Sequence, residues 1–75
     1  MELSKFIEKF AEQFDNTPKS EFSATTDFKR LDEWDSLISL SVISMIDEEL
    51  EKRITGADIR SCTTIEDLYN LVNTK

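Results

Sequence analysis

The chain has 75 residues, with 16 acidic and 9 basic side chains, one cysteine and no histidine. A chain this short has room for one domain, and one cysteine excludes an internal disulfide, so we expect a single helical domain over residues 1–75. The net charge of -7 argues against binding to nucleic acid or to an anionic membrane. No segment resembles a membrane span or a signal peptide, and we expect a cytoplasmic protein.

The first predicted helix begins near Leu3 and is followed by a long loop. One helical face is apolar, formed by Leu3, Phe6, Ile7, Phe10, Ala11 and Phe14. The segment Asp15–Pro18 ends this helix, because the residue before a proline is disfavoured in the α region. From Lys19 to Trp34 the helical periodicity is lost, which predicts a long ordered loop. Four apolar residues are expected to hold that loop on the core: Phe22, Phe28, Leu31 and Trp34. For Trp34, a ligand platform is the alternative interpretation.

The second predicted helix begins at Ser36, has Asp35 as its N-cap and ends at Leu50 or Glu51. Its core-facing stripe at helical spacing consists of Ile38, Val42, Ile43, Met45, Ile46 and Leu50. Leu37 and Leu40 fall outside that stripe, beside acidic residues. They form either a contact patch or two isolated exposed leucines, which proteins commonly tolerate.

The last third of the chain predicts one short and one longer helix. Gly56 favours a turn, and Ala57–Arg60 fits about one helical turn. Thr63 and Glu66 have the spacing of a capping box for the last helix, whose apolar face is Ile65, Leu68, Tyr69 and Val72. We interpret Cys62 as a small core residue rather than a reactive thiol. The pattern therefore predicts an all-α fold, a small four-helix bundle with three main helices, one short helix and a long first loop.

The composition excludes several kinds of site. A zinc site cannot be built from one cysteine and no histidine, and the acidic residues do not match a calcium-binding loop. One glycine is too few for a phosphate-binding loop. Catalysis by Ser36 or Cys62 would need a positioned base, so we expect no enzyme and no metal. Ser36 lies at a helix start, where free N–H groups favour an attached phosphate, although Asp-Ser is also an ordinary capping pair.

The tripeptide Asp35-Ser36-Leu37 at the start of the acidic second helix resembles the attachment motif of acyl carrier proteins. Leu31–Leu37, Met45–Leu50 and Ile54–Leu68 are similar to that family in the same order. The resemblance implies a carrier-protein bundle in which a phosphopantetheinyl transferase attaches 4'-phosphopantetheine from coenzyme A to Ser36. Acyl groups of fatty acid, polyketide or related metabolism are then carried as thioesters. Ile38 and Ser41 stand where carriers of fatty acid synthesis commonly have acids, so the pathway stays open.

The resemblance and the helix pattern together assign roles to the neighbours of Ser36. Asp35 is expected to cap the helix and contact the transferase. The expected partner-binding residues are Leu37, Leu40, Ser41, Asp47 and Glu48. Acidic residues there and at Asp32, Glu33 and Asp35 favour transient docking of a monomeric carrier to basic patches on acyl-transferring or acyl-modifying enzymes.

Three further interpretations stay open. Six residues are candidates to line a space that shelters the acyl chain, although a plain packed core, which we favour, explains the same residues: Ile43, Ile46, Ile59, Cys62, Ile65 and Leu68. Within the carrier class, the alternative is an aminoacyl carrier of the D-alanyl type. Outside that class, the alternative is an unmodified acidic helical adaptor.

Overall fold

A computed structural model describes residues 1–75, and four α-helices supply its regular structure. They are α1 (Leu3–Ala11), α2 (Ser36–Leu50), α3 (Gly56–Arg60) and α4 (Ile65–Asn73). There is no strand, and one isolated antiparallel bridge joins Asp27 to Thr64. The prediction of an all-α fold with three main helices and one short helix is confirmed. None of these helices has both the length and the apolar character that a membrane crossing requires.

The helices pack around one core of 15 buried residues, all of them hydrophobic. Helix α1 buries Phe6 and Phe10, and α2 buries Val42, Met45 and Ile46. Each large side chain removed from water contributes roughly 1.5–3 kcal/mol, so this cluster supplies most of the driving force for folding. Helix α2 contacts both α1 and α3, so its two flanks face different neighbours.

Helix α1 ends at Ala11 rather than at Phe14. The N–H groups of Gln13 and Phe14 donate to the carbonyls of Phe10 and Ala11, which are the tighter bonds of a 3-10 turn. Phe14 nevertheless remains buried, with its ring centroid 5.6 Å from that of Phe10. The apolar spacing therefore identified the core residues correctly, and the tightened last turn accounts for the shorter helix.

The loop that follows is ordered, as predicted. It contains two single 3-10 turns, Lys19–Glu21 and Phe28–Arg30. Phe22 and Phe28 are buried, while Leu31 and Trp34 are half-buried against the core. The Trp34 ring stacks nearly parallel to that of Phe10, at 6.3 Å between centroids. The four predicted anchors therefore hold the loop on the core.

The predicted capping box of the last helix was wrong by one residue. The N-cap of α4 is Thr64, whose hydroxyl accepts the N–H of Asp67 at 3.0 Å, while the Asp67 carboxylate accepts the N–H of Thr64 at 3.0 Å. Thr63/Glu66 and Thr64/Asp67 share the same spacing, and the first loop selects between them. The N–H of Ile65 donates to the Thr26 carbonyl at 3.2 Å, which fixes where α4 begins.

Helix α3 begins with a second capping box, between Thr55 and Asp58, that the sequence reasoning missed. The Asp58 carboxylate accepts the N–H of Thr55 at 3.0 Å and pairs with the Lys75 ammonium at 3.2 Å. These contacts, with the N–H of Thr55 contributing most, lower the pKa of Asp58. This very short helix is thus held by its cap, by buried Ile59 and by the end of the chain.

Candidate functional site

Ser36 is the first residue of α2, and its side chain is exposed. The preceding residue, Asp35, has an extended backbone, and its carboxylate accepts the N–H of Ile38 at 2.8 Å. The prediction that Asp35 is the N-cap is therefore confirmed. Its carboxylate bond satisfies one of the unpaired N–H groups of the first turn, where the helix dipole also favours negative charge. The Ser36 hydroxyl is thus presented at the positive end of a well-capped helix.

The backbone that leads to Ser36 is held in place by Glu33. Its carboxylate accepts the N–H of Asp15 at 2.7 Å, the N–H of Asn16 at 3.0 Å and the hydroxyl of Thr17 at 2.7 Å. These bonds, of which the one from Thr17 contributes most, lower the pKa of Glu33 below its ordinary value of 4.5. Glu33 is therefore occupied in joining the motif loop to the turn after α1, and it is not a free docking charge.

An open groove of about 560 Å³ lies beside Ser36, between α2 and the α3 side of the molecule. Trp34, Leu40, Ile43 and Ile59 form its apolar wall. Its charged lining residues are Lys29, Arg60 and Asp35. We call it the α3-side groove. Although the chain carries a net charge of -7, this groove has two cationic side chains and a single carboxylate.

A second open groove, of about 680 Å³, lies on the opposite flank of α2, against α1. We call it the α1-side groove. It is lined by Lys9, Glu12, Gln13, Leu37, Leu40, Ser41, Ser44, Met45, Glu48 and Glu49. Leu37 is 73% exposed and Leu40 is 59% exposed, so the prediction that both lie off the core stripe is confirmed. One cation and three carboxylates make this groove acidic.

The α1-side groove brings together four of the five residues predicted to bind partners: Leu37, Leu40, Ser41 and Glu48. Asp47 is exposed but does not line the groove. The Lys9 ammonium lies 3.9 Å from carboxylate oxygens of both Glu12 and Glu49, and the loose ion pair with Glu49 joins α1 to α2 across the groove. Because Leu40 lines both grooves, it forms the ridge that separates them.

The six residues considered for an acyl-sheltering space belong mostly to the packed core. Ile46, Ile65 and Leu68 have no solvent exposure, and Ile59 and Cys62 are buried. The surface depressions are open grooves, and of the six only Ile43 and Ile59 reach one of them. Burial also raises the pKa of the Cys62 thiol, which fits a core residue rather than a reactive one.

Sequence reasoning missed Ser39 and, outside α2, three further residues of the α3-side groove: Lys29, Gly56 and Arg60. These three lie outside the acidic segment between Leu31 and Leu50, and no local periodicity connects them. Only the folded path of the loop brings the Lys29 ammonium to the Arg60 carbonyl, at 3.0 Å. The acidic residues near Ser36 in the sequence predict negatively charged surroundings for it. The fold partly reverses this, because it brings two cations to the groove beside Ser36.

The fold and site together define a class, a small helical domain that presents one exposed serine at a helix start beside an open groove. A comparison with protein-family models matches residues 4–72 to the family described as the phosphopantetheine attachment site. The match spans nearly the whole chain, and the chain belongs to this family of carrier proteins, whose cofactor is covalent 4'-phosphopantetheine. The resemblance to acyl carrier proteins that the sequence indicated is therefore confirmed. No curated protein and no solved structure gave a significant match.

Proposed function

We propose that the chain is a single acyl carrier domain whose arm is attached to Ser36. The observation that carries this proposal is the position of Ser36, exposed at the first residue of α2 within the region that matches the family. The residues present fit the cofactor, because the free N–H groups of a helix start favour a phosphate and the adjoining open groove leaves room for an arm. Once attached, the arm supplies a terminal thiol that holds an acyl group as a thioester.

In the attachment reaction, the Ser36 oxygen forms a bond to the phosphorus of the phosphopantetheine group of coenzyme A. The pyrophosphate bond of coenzyme A breaks, and adenosine 3',5'-bisphosphate leaves with the electron pair. The chain has no histidine and no buried titratable pair near Ser36. The hydroxyl proton therefore goes to a base of the phosphopantetheinyl transferase, and the carrier contributes a positioned nucleophile and no catalysis.

The α1-side groove is the proposed docking surface for partner enzymes. It offers two exposed leucines within an acidic surround, which fits an apolar side chain flanked by basic residues on an acyl-transferring or acyl-modifying enzyme. Charge attraction of this kind raises association rates more than it raises affinity, which suits a monomeric cytoplasmic shuttle that must leave each enzyme. The nearby Asp47 extends the acidic surface beyond the groove.

Intact-mass measurement after incubation with coenzyme A and a broad-specificity transferase tests the proposal. We expect the wild type to gain one phosphopantetheine group and Ser36→Ala to gain none. Ser39→Ala is the matched control, since Ser39 lies on the same helix and lines the same groove; it should gain the group fully. A gain on Ser36→Ala equal to that of the wild type would exclude Ser36. Absence of any gain on the wild type would favour an unmodified adaptor.

A further inference from the structure

The three surface grooves differ in charge, and the groove beside Ser36 is cationic although the chain as a whole is acidic. The grooves away from Ser36 are acidic: one has Lys9 against three carboxylates, and another, at the turn after α1, is lined by Glu21, Asp32 and Glu33 with no cation. The α3-side groove is the one in which cations outnumber carboxylates, and it is the one that contains Ser36. Its single carboxylate, Asp35, already accepts a backbone N–H of α2.

Both cations belong to exposed residues, yet each lies close to a defined part of the protein at the edge of the groove. The Lys29 ammonium donates to the Arg60 carbonyl at 3.0 Å and lies 5.9 Å from the centroid of the Phe28 ring, which is fully buried. One of its three N–H donors is used in this bond, so two remain for a ligand. The cation is therefore anchored over the core at the edge of the groove.

Arg60 folds back along α3 toward the first residue of that helix. A Cβ atom on Gly56 would lie 3.3 Å from Arg60 Nη1, so the absence of a side chain at Gly56 makes room for the guanidinium. Arg30 is different, because it pairs with Asp27 at 3.6 Å instead of lining the groove. Asp58 is the one acidic residue of α3. It is bound by Thr55 and Lys75 and does not line the groove either.

We propose that Lys29 and Arg60 bind an anionic group that is tethered at Ser36. The proposal rests on the proposed function, since the arm brings the anion to the groove. Two anions share this chemistry: the phosphodiester at the base of the arm, and a carboxylate at the end of a dicarboxylic acyl cargo. The apolar wall of Trp34, Ile43 and Ile59 accommodates the uncharged part of the arm or cargo. The same two cations repel the ammonium of an aminoacyl cargo, which disfavours a carrier of the D-alanyl type.

The experiment compares melting temperatures of the apo protein and of proteins loaded with a free arm, a butyryl arm or a succinyl arm. Butyryl and succinyl groups have the same chain length and differ in the terminal carboxylate. Each loaded form is first verified by intact mass. Melting is then measured at low ionic strength and in about 1 M salt, where charge interactions are screened beyond about 3 Å.

If the phosphodiester is bound, attachment of the free arm alone raises the melting temperature by about 3 °C, as expected for an exposed ion pair in a domain of this size. If the cargo carboxylate is bound, the free arm has little effect and the succinyl form melts about 3 °C above the butyryl form. Either increase disappears in high salt. Absence of both increases in fully loaded wild type overturns the proposal.

Variants locate the effect. Lys29→Gln/Arg60→Gln should abolish the increase, measured against the apo form of the same variant so that any change in intrinsic stability cancels. Lys29→Arg/Arg60→Lys should retain it. The matched control is Lys5→Gln/Lys19→Gln, which removes two exposed cations outside the grooves and should also retain it. An increase that survives in Lys29→Gln/Arg60→Gln overturns the proposal while leaving the carrier function intact. If the wild type accepts no arm, both proposals fall.

Discussion

The α1-side and α3-side grooves share Leu40 as a common ridge, yet they carry opposite charge. The α1-side groove combines exposed leucines with three carboxylates, whereas the α3-side groove combines an apolar wall with two cationic side chains. A partner with a basic patch and an anionic arm require opposite surroundings. The fold places these surroundings on opposite flanks of one helix, with Ser36 at the end of the ridge, and this arrangement fits both roles proposed for α2.

The largest expected effect concerns the core beneath both grooves. Ile46 has no solvent exposure, and Ile46→Ala should lower the free energy of unfolding by about 2–5 kcal/mol, because a cavity is left between the helices. Leu37→Ala, at a side chain that is 73% exposed, should change it by less than about 0.5 kcal/mol while slowing partner turnover. Urea denaturation measures the free energy of unfolding of both variants. A large loss on Leu37→Ala would mean that Leu37 is structural rather than a contact residue.

The next effect separates docking from arm binding. Asp47→Lys/Glu48→Lys should raise the apparent KM of the chain for a phosphopantetheinyl transferase about tenfold at low ionic strength, with the difference shrinking as salt screens the charges. The thermal shift caused by the arm should stay unchanged. Glu2→Lys/Glu8→Lys, at exposed positions outside the grooves, is the charge-matched control. An equal rise in KM for the control would mean that the effect comes from the net charge of the chain and not from docking at Asp47 and Glu48.

A smaller effect is expected at the cap between the grooves. Asp35→Ala removes the acceptor of the Ile38 N–H and should destabilise the protein by about 1 kcal/mol, whereas Asp35→Asn retains an oxygen at that position and should be nearly neutral. The Asn variant also removes the only carboxylate of the α3-side groove, and it should therefore preserve or increase the arm-dependent thermal shift. Thermal melting of apo and loaded forms measures both. Equal destabilisation by Ala and Asn would contradict the capping role.

The smallest effect concerns the loop before Ser36, and it diminishes in acid. The pKa of Glu33 is lower in the folded protein than its ordinary value of 4.5, so its contribution to stability is present above that pH and is lost as the pH falls through the folded value. Asp58 and Asp67 behave alike below their ordinary value of 3.8. Glu33→Gln should lower the melting temperature modestly at neutral pH and flatten its decline below about pH 4.5. An unchanged decline would exclude the Glu33 contacts as its cause.

Several features that depend on neighbouring residues were predictable from the sequence, although the local capping box of α3 was missed. The start of α2 follows from an Asp cap before an apolar run, and the exposure of Leu37 and Leu40 follows from helical spacing. The capping box of α4 was missed by one residue, because two overlapping pairs satisfy the same local rule and a contact from the distant Thr26 decides between them.

Features that depend on the path of the loop were not predictable. The sequence predicts that Glu33 is a docking charge, but in the structure its carboxylate accepts hydrogen bonds from Asp15, Asn16 and Thr17. Lys29 and Arg60 are 31 residues apart in the chain, and only tertiary folding places them at one groove. A charge pattern along the sequence therefore predicts the character of a helix better than it predicts the field at a residue on that helix.

The central claim is that the arm at Ser36 occupies the cationic α3-side flank of α2 and leaves the acidic α1-side flank free for partners. Backbone amide NMR spectra of the apo and arm-bearing protein test it most directly. We predict that attachment shifts the amide signals of Ser39, Ile43, Gly56 and Arg60, while those of Lys9, Gln13 and Ser44 on the other flank stay in place. Shifts centred on the α1-side residues, or shifts confined to Ser36 and its immediate neighbours, would contradict the account.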